Sequence, residues 1–169
     1  QTSTLGTGAW ASGGNYPLTN SGYSAGAGTQ TAALVTGGTG SGTNYTTLCN
    51  EYDGSSWTVQ NTLPTQNKNM GSCGTQTASL NIGGSTPSAT NVTNSYDGTN
   101  WTNTGHNLNT ARYSLRGAGT STAAIGVGGD SGGNPGTATE EYNGSSWTSV
   151  SNSLGSFAAA GSAGTQTAA

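Results

Sequence analysis

Glu51-Tyr52-Asp53-Gly54-Ser55-Ser56-Trp57-Thr58 decides how this chain is read. The stretch returns as Ser95-Tyr96-Asp97-Gly98-Thr99-Asn100-Trp101-Thr102 and as Glu141-Tyr142-Asn143-Gly144-Ser145-Ser146-Trp147-Thr148. Asp-Gly or Asn-Gly between strand-like flanks is a strong hairpin signal, because a two-residue type I′ turn needs positive φ at both central positions. Such a turn pairs Tyr52 with Ser55 and Asn50 with Trp57. Side chains alternate faces along a strand, so Tyr52 and Trp57 then share a face, one diagonal step apart. Each unit is expected to be a hairpin with one aromatic and one polar face.

Working outward, the hairpin is one marker of a longer repeat. Trp10, Trp57, Trp101 and Trp147 are 47, 44 and 46 residues apart. Gly28-Thr29-Gln30-Thr31 recurs as Gly74-Thr75-Gln76-Thr77, Gly119-Thr120-Ser121-Thr122 and Gly164-Thr165-Gln166-Thr167, at spacings of 46, 45 and 45. Gly pairs close short apolar runs at Gly37-Gly38, Gly83-Gly84 and Gly128-Gly129. In the third unit this order predicts strands over 112–120, 122–127, 139–142 and 145–150, with a loop over 128–138. Four short strands in about 45 residues is the period of β-propeller blades. No segment keeps a 3.6-residue apolar period, so helices are expected to be scarce.

The units are expected at 12–58, 59–102 and 103–148, within a single propeller or propeller fragment over 1–169. Residues 1–11 align with third and fourth strands, Leu5 standing in the tyrosine position. Residues 149–169 supply a first strand and part of a second. The two halves are complementary, so a closed four-bladed ring, a half-ring completed by a second copy, and a piece of a longer array all fit.

Composition narrows the function classes. Leu, Ile, Val and Phe total 17 of 169 residues, yet the formal net charge is only −3, so the core is thin rather than absent. Three basic residues neutralise few phosphates, which argues against nucleic acid as the main partner. No apolar run reaches bilayer-spanning length, and no signal peptide is visible. Cys49 and Cys73 are too few for a disulfide framework or a zinc site; two buried thiols are the plainer reading, a bridge the alternative.

The markers resemble the kelch family: an apolar strand, a Gly pair, Tyr and Trp a few residues apart, then Leu-x-Thr-x-Arg. Leu108-Asn109-Thr110-Ala111-Arg112 carries that last piece most fully. Leu63-Pro64-Thr65-Gln66-Asn67 lacks the Arg, and Leu18 and Leu154 begin weaker versions. The Tyr-to-Trp spacing is shorter than in standard kelch units. The wording Gly-Thr-Gln-Thr-Ala-Ala-Leu with Glu-Tyr-Asp-Gly-Ser-Ser-Trp-Thr is similar to kelch-like repeats of marine bacteriophage (cyanophage-type) structural and tail-fibre proteins. The resemblance covers nearly the whole chain. It implies an all-β, kelch-like β-propeller of four-stranded antiparallel blades, and a non-enzymatic structural or adhesion component of a phage fibre or virion surface. Its implied partners are other virion or fibre proteins, copies of itself, or a host surface glycan. Its implied location is the virion surface or outside the cell, with secretion as the alternative. It carries no catalytic residue and no cofactor with it.

Candidate sites are weighed against plainer roles. Trp10, Trp57, Trp101 and Trp147 are able to stack on sugar rings. Recurrence at one position in every unit favours packing between blades, together with Tyr52, Tyr96 and Tyr142. Read as strands, the Gly-Thr-Gln-Thr segments put Thr29 beside Thr31 and Thr75 beside Thr77, a pattern ice-binding surfaces share; threonine's preference for strands explains it more simply. His106 stands alone, and Glu140 and Glu141, adjacent on a strand, point to opposite faces. No catalytic or metal-binding constellation is recognisable, which argues against an enzyme. Asp130 among glycines suggests calcium, but no spaced carboxylates support it. Asn44, Asn91, Asn100 and Asn143 begin glycosylation patterns that this composition produces by chance. The loops after the Gly pairs, 39–47, 85–92 and 130–138, differ most between units, and binding concentrates in loops on a rigid scaffold. A ligand rim is therefore expected at Tyr45, Asp130 and Asn134, lectin-like if its ligand is a glycan. The linkers with Lys68, His106, Arg112 and Arg116 come second.

Overall fold

A computed structural model describes residues 12–17, 22–40, 44–152, 155–156, 158–159 and 161–167. These residues form an all-β structure without helices. The first sheet is β1 (Ala25–Thr29), β2 (Ala32–Thr36), β3 (Cys49–Tyr52) and β4 (Trp57–Val59). The second is β5 (Gly71–Thr75), β6 (Ala78–Ile82), β7 (Thr93–Tyr96) and β8 (Trp101–Asn103). The third is β9 (Arg116–Gly119), β10 (Ala124–Val127), β11 (Thr139–Tyr142) and β12 (Trp147–Ser149). Each is an antiparallel meander whose spatial order follows the chain.

The tyrosine and tryptophan share a face, but not through the expected turn. Tyr52 pairs directly with Trp57, Tyr96 with Trp101 and Tyr142 with Trp147. Four residues therefore connect the strands, rather than two. The Asp53 N–H closes the loop on the Ser56 carbonyl at 3.1 Å. Asp53 Oδ1 accepts the Ser55 and Ser56 N–H groups, both at 2.8 Å. Only Gly54 is left-handed, with φ of 95°. The Asp side chain thus ties up the backbone donors that a type I′ turn would have used in the ladder. Direct pairing brings the ring centroids to 4.9, 5.0 and 5.1 Å in the three sheets.

Gly-Thr-Gln-Thr is also not a continuous strand. Thr29 pairs with Ala32 and Thr75 with Ala78, so Gln30-Thr31 and Gln76-Thr77 are two-residue turns. Arg112 likewise stands before its strand, because β9 begins at Arg116.

The first strands lie side by side. A Cβ added to Gly71 in β5 would stand 3.2 Å from the Gly117 nitrogen in β9. One added to Gly117 would stand 2.9 Å from the Ser72 carbonyl oxygen. Just before these strands runs a ladder that no shared wording announces. Asn69 N–H donates to Tyr23 C=O at 2.9 Å, Ser114 N–H to Asn69 C=O at 2.7 Å, and Ala159 N–H to Ser114 C=O at 2.9 Å. All four residues are left-handed, with φ of 59°, 56°, 54° and 56°. Only backbone atoms take part, so the side chains are free to differ. The segment 161–167 continues the pattern beside β9: Gly119 N–H donates to Gly164 C=O at 3.0 Å and Ser162 Oγ to Gly117 C=O at 2.8 Å.

The core lies between sheets. One apolar cluster joins Leu34 and Cys49 of the first sheet to Leu63, Met70, Tyr96 and Trp101. The other joins Leu80 and Ile82 of the second to Leu108, Leu115, Tyr142 and Trp147. Trp101 and Trp147 therefore reach back onto the preceding sheet. Trp147 Nε1 donates to Thr93 Oγ1 at 3.0 Å. Cys49 and Cys73 are unpaired and buried, and burial raises their thiol pKa values to about 11 and about 12. Trp10, Leu5, Leu18 and Leu154, with the whole of 1–11, lie outside the described residues.

Candidate functional site

Each Gly pair ends a second strand and launches a loop. Gly37 and Gly83 are left-handed, with φ of 59° and 61°. A Cβ at either would come within 2.5 Å of a carbonyl oxygen, that of Asn67 or of Arg112. Glycine lets the next unit's linker touch the strand end here. The Gly38 N–H then donates to Asn67 C=O and the Gly84 N–H to Arg112 C=O, both at 2.8 Å. The same two residues reach forward with their side chains. Asn67 Nδ2 donates to Gly83 C=O at 2.9 Å. Arg112 Nη1 donates to Gly128 C=O and, at 2.7 Å, to Ala138 C=O. Position 67 or 112 thus staples one sheet to the next and sets the root of the loop.

The sequence places Arg112 in a linker that is the second choice for ligand contact. It is instead buried and pairs with Glu140 at 2.9 Å. Burial draws its pKa down, and the Glu140 charge opposes that. Glu140 faces inward and Glu141 is half-buried on the other face.

The loops fold back through bridges Thr39 to Tyr45, Ser85 to Ala89 and Asp130 to Pro135. Between them opens a cleft of about 620 Å³. Its walls include Tyr45 of the first loop, Ser85 and Ser88 of the second, Lys68 and Asn69 of a linker, and Tyr113. The Lys68 ammonium lies 4.5 Å from the Tyr45 ring centroid and 5.4 Å from that of Tyr23. Tyr45 Oη also reaches the Pro87 carbonyl at 3.5 Å.

Of the expected rim, Tyr45 lines this cleft. Asp130 is occupied elsewhere: its Oδ1 accepts N–H groups from Gly132 at 2.8 Å, Gly133, and Asn134 at 3.1 Å. Those amides, with the Tyr113 hydroxyl, hold its carboxyl below the usual range. Burial and Asp130 together raise the Tyr113 hydroxyl. Asn134 is exposed at the loop tip. Lys68, placed second by sequence, lines the cleft, one residue before the left-handed Asn69. His106 is exposed, and Arg116 is half-buried at the start of β9.

The aromatic positions differ between sheets. Trp101, Trp147, Tyr96 and Tyr142 are buried. Trp57 and Tyr52 are half-buried. Tyr16 meets Trp57 edge to face at 5.0 Å, and Trp57 Nε1 donates to Gly14 C=O at 3.1 Å. Among the described residues, no cluster of three or more His, Cys, Asp or Glu side chains is placed to hold a metal ion. No family model matches the chain. No curated protein matches it either.

Proposed function

We propose that the chain is a run of kelch-like β-propeller blades serving as a non-enzymatic structural and adhesion module of a phage fibre or virion surface. The observation that carries the reading is the backbone ladder Tyr23–Asn69–Ser114–Ala159, which joins the same position of successive units. A bond between equivalent residues, repeated with equivalent backbone angles, is what radial repetition about an axis produces. The buried tryptophans on each preceding sheet and the side-by-side first strands support the same arrangement. Low charge and small polar side chains suit a surface meant to stay rigid and inert until its target is met. The loop rim, where the units differ in wording, is the adhesion face. Its partners are further fibre proteins and the host surface.

Immunogold labelling tests this reading. An antiserum raised against the purified chain is applied to virions whose genome encodes it. Labelled fibres or capsid surface are expected; unlabelled particles overturn the assignment.

A further inference from the structure

We propose that the cleft between Tyr45, Lys68 and Tyr113 is a subsite for an acidic sugar residue whose carboxylate sits on the Lys68 ammonium. The inference rests on reading this rim as the adhesion face and deepens it by naming the ligand class.

Size comes first. At about 620 Å³ the cleft falls within the range of small-ligand sites, and a mono- or disaccharide fits there. Its lining has the two characters a sugar needs. Tyr45 and Tyr113 supply aromatic surface, while Ser88 and Asn69 supply hydrogen-bonding groups for hydroxyls. The walls come from three successive units, so the site exists only once the sheets are assembled.

The charge selects the class. Among the described residues the one salt bridge is Arg112 with Glu140. Lys68 therefore meets tyrosine faces and no carboxylate. A half-buried ammonium held over aromatic rings gains more from an anion than from the rings alone. Asp130 keeps its charge but does not line the cleft; its Oδ1 is turned onto three amides of its own loop. With a single cation in the lining, one carboxylate is matched, whereas a polyphosphate would not be.

The test titrates the purified chain with the methyl glycoside of galacturonic acid and with its neutral counterpart, the methyl glycoside of galactose, followed by amide chemical shifts. We expect the acidic sugar to bind about tenfold tighter than the neutral one, the scale of one charge-assisted hydrogen bond, with shifts at Lys68 and Asn69. The preference should shrink as salt is added. Lys68→Gln should abolish the preference and Lys68→Arg should keep it, with the rest of each spectrum unchanged. Equal affinity for the two sugars, or a preference that survives Lys68→Gln, overturns the subsite. Labelled virions without this preference sink the subsite and leave the adhesion reading standing; the preference with unlabelled virions does the reverse.

Discussion

The Arg112 guanidinium and the Glu140 carboxylate meet at 2.9 Å, with each side chain 2% exposed. Glu140 Oε2 also accepts the Asn109 N–H at 2.7 Å, so the carboxylate ties the linker to β11. The corresponding positions one unit earlier are Asn67 and Asn94, both buried and both neutral. The same two positions are therefore filled once by charged and once by neutral side chains. Removing one member of a buried pair strands the other. We expect Arg112→Asn or Glu140→Gln alone to lose about 3–5 kcal/mol in urea unfolding. The double variant Arg112→Asn/Glu140→Asn copies the earlier joint and should lose clearly less than either single change. A double variant as unstable as the sum of the singles would sink the equivalence.

Trp101 presents the complementary case. Trp147 Nε1 donates to Thr93, the first residue of β7. Trp101 holds the same place against the first sheet, where the first residue of β3 is Cys49. Its Nε1 is buried with no hydrogen-bond partner, a weakly accepting sulfur standing where the Thr93 hydroxyl stands in the next sheet. Cys49→Thr supplies the missing hydroxyl at a strand position that favours threonine. We expect a gain of about 1 kcal/mol, read as a higher urea midpoint at unchanged slope. A lower midpoint would mean that the thiol's packing outweighs the hydrogen bond.

A third joint is missing one donor. Gln76 Nε2 donates to Ala33 C=O at 3.1 Å and Tyr52 C=O at 2.8 Å, bridging two strands of the preceding sheet. Gln166 does the same to Ala124 at 3.1 Å and Tyr142 at 2.9 Å. Between them, Ser121 is too short to span to Ser79 and Tyr96, the matching carbonyls of the second sheet. Ser121→Gln should add about 1 kcal/mol and raise the melting temperature by about 2–4 °C. Gln76→Ser should lower it by a similar amount. Opposite signs in calorimetry would remove the staple from the account.

These joints mark the boundary of what the sequence conveys. The aromatic hairpins were legible because Tyr, Gly and Trp recur in side-chain roles. The loop between them was misjudged because Asp-Gly fits both a two-residue turn and a four-residue loop capped by the Asp carboxylate. Gln76 reads two ways, as a strand residue because Thr-Gln-Thr alternates like one, and as a break between strands where Ser121 stands in the third unit; the structure makes it a turn. Arg112 reads as a strand start and a second-choice ligand contact because its partner lies 28 positions away on a strand. The left-handed ladder was invisible for a stricter reason. Tyr23, Asn69, Ser114 and Ala159 contribute only backbone, so nothing constrains their side chains to agree.

Acid should loosen the loops by a route that can be switched off. Asp53 and Asp97 are held below the usual carboxylate range, in each case first by backbone N–H donors within the loop, and Asp130 likewise. A carboxylate with a depressed folded pKa contributes stability above its unfolded value, about 3.9. That contribution disappears as pH falls through the folded value, because the unfolded chain binds more protons in that window. The third hairpin has Asn143 instead, whose Oδ1 accepts the same set of bonds from Ser145 and Ser146 without titrating. Asp53→Asn/Asp97→Asn should therefore fold normally at pH 7. Its urea midpoint should fall less between pH 5 and pH 2 than that of the parent, with Asp130 supplying part of the residual slope. Parallel acid limbs for the two proteins would show that the loop carboxylates do not drive the acid response.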